Sequence, residues 1–126
     1  MLLDTCTFLW LRGDPARIPH GVRHAIANHG HPVFLSVVSS WEIAAKYSRG
    51  LLALPAPPSR WLRQAREESG VESLALDEPT AALVEALPWH HKDPFDRMLI
   101  AVAIARGLEF VTPDPLIVPY PVRTRW

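Results

Sequence analysis

The stretch "DPFDRMLIAVAIARG", residues 93–107, restricts the possible folds more than any other part of the chain. Its eight consecutive apolar residues, Met98 to Ala105, fit a buried strand or a buried helix equally well by periodicity. The flanking residues decide for a helix. Asp93 can cap it, Pro94 suits its first position, Asp96 places an acid in its first turn, and Gly107 stops it. A helix that is apolar all round has no face to give to water, so other elements must cover it.

Those covering layers can be read along the chain. "LLD", "PVFLSV", "VESLAL" and "LEFVT" read as short strands, and "YPVRTRW" as an edge strand. Between them, "TFLWLRGDP" is a helix stopped by Gly13 and Pro15, and "PHGVRHAIANHG" is a helix closed by Gly30. "SSWEIAAKYSRG" is a helix opened by a Ser39-x-x-Glu42 capping box and closed by Gly50. "SRWLRQAREESG" and "EPTAALVEAL" complete the helical set. Strands alternating with helices imply a mostly parallel sheet with helices on both faces. The fold class is α/β, three-layered and Rossmann-like, with residues 1–126 as one domain.

Composition excludes several classes of protein. A chain that is 48% hydrophobic and 21% charged has enough apolar surface for a core. Cys6 is the single cysteine, which leaves no internal disulfide and no thiolate zinc cluster, and suits a reducing cytoplasm. The longest apolar run falls well short of the roughly 20 residues of a membrane helix. Asp4 interrupts the amino-terminal apolar run, so no signal-peptide core fits there. The expectation is a cytoplasmic protein without a membrane partner.

Function is concentrated in five acids. In an open α/β sheet, ligands bind outside the carboxyl ends of the strands. Asp4 ends the first strand and Asp114 follows the fourth. Glu42 lies on the helix after the second strand, and Asp93 and Asp96 open the apolar helix. Each has a local explanation as a cap, turn or dipole partner, with Asp4 the hardest to dismiss. Together they form a cluster in which each pair 4 Å apart repels by about 4 kcal/mol at an effective dielectric near 20. Protons or a divalent cation must offset that charge, and an all-oxygen donor set selects a hard ion such as Mg²⁺ or Mn²⁺.

Thirteen basic and thirteen acidic residues give no net charge. If five acids face a metal, the remaining surface is about five units positive. Its cations are eleven arginines and two lysines, a composition suited to phosphate. Lys46, Arg49 and Arg97 are the candidates for contact with a phosphate backbone, although Lys46 is also spaced for an i,i+4 pair with Glu42.

Rival readings fit less well. An aspartate-based phosphatase wants an acid two residues after Asp4, where Cys6 stands. A phospho-receiver domain wants a late lysine, and neither Lys46 nor Lys92 is placed for it. No phosphate-binding G-x-x-x-x-G-K-[ST] loop occurs. A catalytically inactive domain that binds metal or RNA is the non-enzymatic alternative.

The combination of "LLDT", "SSWEIAAK", "HHKDPFDRMLIAVA" and "VTPD" resembles the PIN-domain ribonucleases, and within them the VapC-type toxins of toxin–antitoxin pairs. The likeness runs through nearly the whole chain, and "DPFDR" followed by an apolar helix is its most specific part. It implies an acidic quartet of Asp4, Glu42, Asp96 and Asp114, with Asp93 as an additional acid and Thr5 and Thr112 orienting the site. It further implies a Mg²⁺- or Mn²⁺-dependent endoribonuclease that uses water as nucleophile, a homodimer, and a small antitoxin as inhibitor.

The remaining motifs read as structural. His90 and His91 are adjacent and should point opposite ways, so the pair does not make a zinc site. His20, His24, His29 and His31 belong to a solvated face around the second helix. Most of the five tryptophans are expected in the core, with Trp61 a possible anchor for a protein partner.

Overall fold

The computed structural model describes residues 1–28 and 30–126, so His29 lies outside the described residues. The chain opens with β1 (Leu2–Leu3), which runs into α1 (Thr5–Gly13), followed by α2 (His20–Ala27). Next, β2 (Val33–Ser36) passes directly into α3 (Val37–Ser48), and α4 (Pro58–Glu68) precedes β3 (Val71–Leu74). α5 (Glu78–Ala82) and α6 (Pro94–Arg106) lead to β4 (Phe110–Val111) and finally β5 (Thr124–Arg125).

The five strands form one parallel sheet in the order β3-β2-β1-β4-β5. From the central β1 the chain winds outward to β2 and β3, then crosses back to β4 on the other side. The switch point therefore lies between β1 and β4, where Leu3 pairs with Val111 and the Asp4 amide donates to the Val111 carbonyl at 3.0 Å. Ligand crevices form at such reversals, beyond the carboxyl ends of the strands.

Alternation along the strands divides the core in two. Leu3, Leu35 and Val111 face a cluster containing Phe8, Ile18, Val22 and Ile43. Leu2 and Phe110 face the opposite layer, built on Leu99, Ile100, Val102 and Ala103 of α6. The middle of the apolar run, Leu99 to Ala103, is buried, while α6 emerges at Ala105 and Arg106. Asp93 caps it by accepting from the Phe95 and Asp96 amides, and Gly107 ends it at φ 61°, a left-handed conformation that favours glycine.

Three local expectations are corrected. The helix carrying Glu42 starts at Val37, because Ser36 is its cap and accepts from the Val38 amide at 3.1 Å. Ser39 therefore lies in the first turn and Glu42 in the second, and they form no capping box. The second helix stops at Ala27 with Asn28 as its cap, before Gly30. The tryptophans do not fill the core: Trp41 is 65% exposed, Trp89 75% and Trp126 44%. Trp10 and Trp61 are half-buried against the first cluster, Trp61 edge-on to Phe8.

Candidate metal centre

At the switch point the structure gathers acids from four distant segments. Asp4, Glu42, Asp93, Asp96 and Asp114 line one cavity of about 230 Å³, together with Thr5, Cys6 and Lys46. Asp4 is carried there by the end of β1, Glu42 by α3, Asp93 and Asp96 by the amino end of α6, and Asp114 by the turn after β4. The amino ends of α1, α3 and α6 open at this rim, and their positive dipole ends favour anions. A larger cleft, about 450 Å³, lies at the opposite end of the sheet, by the amino ends of the strands, around Met1, Pro32 and Arg123. It has no comparable cluster of acids.

Hydroxyl groups hold the deepest acids. Asp4 is buried, and its Oδ2 accepts from Thr112 Oγ1 at 2.7 Å and from the Cys6 thiol at 3.4 Å. Thr5 donates to Glu42 Oε2 at 2.5 Å. Having given its one proton to the carboxylate, Thr5 accepts from Ser39, 3.0 Å away. Lys46 donates to Glu42 Oε1 at 2.5 Å, and this bond holds its ammonium above the ordinary value.

Asp4 and Asp96 resist ionisation. Burial raises the Asp4 carboxyl above its usual range, only partly opposed by the bonds from Thr112 and Cys6, and Glu42 repels it further. Asp96 is pushed up to about 7, first by burial and then by the charges of Asp4 and Asp93. Burial and the Asp4 carboxylate drive the Cys6 thiol up to about 12. This is the behaviour of a site that holds more negative charge than it can solvate, and it fits a divalent cation with oxygen donors.

Two residues differ from the sequence reading. Arg97, expected to meet RNA phosphate, is 3% exposed. Its guanidinium donates to the carbonyls of Pro88 (2.8 Å), Val84 (3.1 Å) and Leu87 (3.1 Å), so it has a structural role. Arg49 caps the carboxyl end of α3 and does not line the cavity.

His91 was passed over and is in the site. Its Nε2 is 2.7 Å from Asp114 Oδ2 and 3.2 Å from Asp96 Oδ2. One ligand-type atom from each of His91, Asp96 and Asp114 falls within 4.8 Å of the other two. His90 does turn elsewhere, edge-on against Tyr120. The available signal was position, two residues before the cap of α6, in a segment too aperiodic to reveal burial.

A parallel sheet whose switch point presents converging carboxylates defines an α/β protein with an acidic crevice. The chain belongs to the PIN-domain family, whose profile matches residues 1–117. It is 30% identical over 115 residues to Ribonuclease VapC22 of Mycobacterium tuberculosis, covering 90% of this chain and 86% of that protein. Its fold is shared by VapBC2 from Rickettsia felis bound to a promoter DNA fragment, with a TM-score of 0.70, 12% identity and coverage of 98% and 96% of the two chains. FitAcB from Neisseria gonorrhoeae gives a TM-score of 0.64 at 20% identity, with coverage of 98% and 94%. No helix among the described residues is long and apolar enough to cross a membrane.

Proposed function

We propose that this protein is a metal-dependent endoribonuclease of the VapC type, acting as the toxin of a toxin–antitoxin pair. The observation that carries the reading is the convergence of Asp4, Glu42, Asp93, Asp96 and Asp114 on one cavity at the switch point. Likeness to a protein named as a ribonuclease, over most of both chains, supports the substrate class.

Asp4 and Asp96 are the direct ligands in this proposal. Glu42 and Asp114 complete the set, Asp93 adds charge at the rim, and Mg²⁺ or Mn²⁺ is the ion. When bound, such an ion would lower the pKa of a coordinated water, so that hydroxide is available to attack phosphorus, and would offset charge on the phosphate. Thr112 and Thr5 fix the Asp4 and Glu42 oxygens, which spares the ligands rotational freedom. Lys46, half-exposed at the cavity mouth, offsets part of the Glu42 charge and presents a cation to an incoming phosphate. Water as nucleophile requires no ribose 2′-hydroxyl, and with the P–O3′ bond broken and the 3′ oxygen protonated as it leaves, the products are a 5′-phosphate and a 3′-hydroxyl.

We further propose a small antitoxin partner, supported by solved neighbours whose names join two proteins, VapBC2 and FitAB, and a homodimer, which rests on the family resemblance alone. The test is incubation of the pure protein with RNA in Mg²⁺, Mn²⁺ or EDTA beside Asp4→Asn and Asp96→Asn. Cleavage with either metal, lost in EDTA and in both variants, supports the reading. Metal-independent cleavage, or none by the wild type, overturns it.

A further inference from the structure

We propose that His91 is a positioning residue, locked as its Nε2–H tautomer, which draws Asp96 and Asp114 to one side of the cavity without itself ligating the metal. The proposal deepens the metal-site reading above and rests on it.

The tautomer follows from the bonds at the two ring nitrogens. The backbone N–H of Asp93 donates to His91 Nδ1 at 3.0 Å, so Nδ1 must present a lone pair. The ring proton is then on Nε2, where it meets Asp114 Oδ2 at 2.7 Å and Asp96 Oδ2 at 3.2 Å. The other tautomer would set two N–H groups against each other at 3.0 Å. Turning the ring over would replace both nitrogens by carbons and forfeit all three contacts. A nitrogen that carries a proton has no lone pair for a metal, so the grouping of His91, Asp96 and Asp114 is two carboxylates held by a donor.

The surroundings fix the ring's backbone as firmly as its proton. The His91 amide donates to Tyr120 Oη at 2.8 Å, and Tyr120 donates to the Pro88 carbonyl at 2.8 Å. Arg97 bonds that same Pro88 carbonyl. Asp93, whose amide orients the ring, also caps α6 with its carboxylate, so the cap and the imidazole are set together. Asp114 cannot easily turn away, because its Oδ1 accepts from the Leu116 amide at 2.8 Å. His91 thus ties the amino end of α6 to the turn after β4.

The test has two arms that fail independently of ribonuclease activity. The first is long-range ¹H–¹⁵N correlation on the ¹⁵N-histidine-labelled protein, metal-free and with Mg²⁺. The expected result is Nε2 protonated and Nδ1 unprotonated in both states. Loss of the Nε2 proton on adding metal would make His91 a ligand and overturn the proposal.

The second arm measures Mn²⁺ affinity of His91→Ala and His91→Gln by electron paramagnetic resonance, with melting in EDTA as a check of folding. The glutamine amide can supply an N–H where Nε2–H lies. His91→Ala should weaken Mn²⁺ binding about 10- to 100-fold, the usual consequence of losing a group that orients a ligand. His91→Gln should recover most of it. Equal affinity in all three proteins overturns the proposal, and if the alanine variant does not fold, the spectrum of the wild type decides. A protein that cuts no RNA yet gives these results would refute the ribonuclease reading and leave His91 in place.

Discussion

The guanidinium of Arg97 lies 3.9 Å from the ring centroid of Trp89, so a tryptophan that is 75% exposed covers a cation that is almost wholly buried. The pairing explains why a large aromatic side chain remains at the surface. Its face shields the charge while the carbonyls of residues 84, 87 and 88 accept the guanidinium protons. Arg97 therefore fastens the loop that carries His91.

Arg97→Met should destabilise the protein by about 3 kcal/mol, because hydrogen bonds from a charged group contribute about 1.5–3 kcal/mol each and buried carbonyls would be left without donors. The corresponding fall in melting temperature is about 10 °C. Arg97→Lys should rescue little of it, since one ammonium cannot reach carbonyls spread along the loop. A melting curve within 2 °C of wild type for Arg97→Met, on a scale of about 3–5 °C per kcal/mol, would refute this role.

The acid cluster predicts how stability depends on pH. Asp96 titrates near 7 in the folded protein against an ordinary 3.8, so between those values the folded state binds more protons than the unfolded state. Metal-free protein should therefore lose stability as pH rises through that window. The melting temperature in EDTA should fall by several degrees between pH 4.5 and 7.5, and Asp96→Asn should flatten the slope. Mg²⁺ should restore stability at pH 7.5 and do little at pH 4.5. A flat profile for the metal-free wild type would contradict the repulsion.

Asp96→Asn should reduce RNA cleavage more than about 100-fold, beyond the effect of losing a group that merely orients a ligand. The folded state should persist, because the cap of α6 depends on the Asp93 carboxylate and the Asp96 amide, neither of which is altered. Circular dichroism and an RNA-cleavage time course on the same preparation check both halves. Full activity in a folded variant would remove Asp96 from the ligand set.

Cys6 should be inert. Its thiol is pushed up to about 12, and only the thiolate attacks an alkylating reagent. At pH 8 the native protein should react with iodoacetamide at least about 10-fold more slowly than it does in guanidinium chloride, as mass spectrometry would record. Equal rates would mean that burial and the Asp4 charge do not act on the thiol as described.

The parts of the fold that could be read in the sequence were those where independent signals coincided. The position of α6 was legible because cap, proline, apolar run and stop all agree at Asp93, Pro94, 98–105 and Gly107. The meeting of the acids was legible because Asp4, Asp93, Asp96 and Asp114 lie where a strand ends or a helix begins, with Glu42 a turn further into α3, and a parallel sheet brings such points to one rim. The start of α3 was hidden because Val37 is β-branched and reads as the last residue of the strand, whereas Ser36 before it caps the helix.

Arg97 was misread because one step along a helix turns a side chain by about 100°. Asp96 faces the cavity while its neighbour faces a loop that has no periodicity to announce it. His91 belongs to that same loop, and only tertiary contacts reveal its orientation.

The bond between Thr112 and Asp4 spans 108 residues of chain. Closing so long a loop is entropically costly and comes after local structure has formed. A growing polypeptide therefore carries only scattered, separately harmless carboxylates until β4 docks beside β1. If the proposed activity is correct, a cell making this protein is spared until synthesis has passed beyond the fourth strand, and copies cut short before it are innocuous.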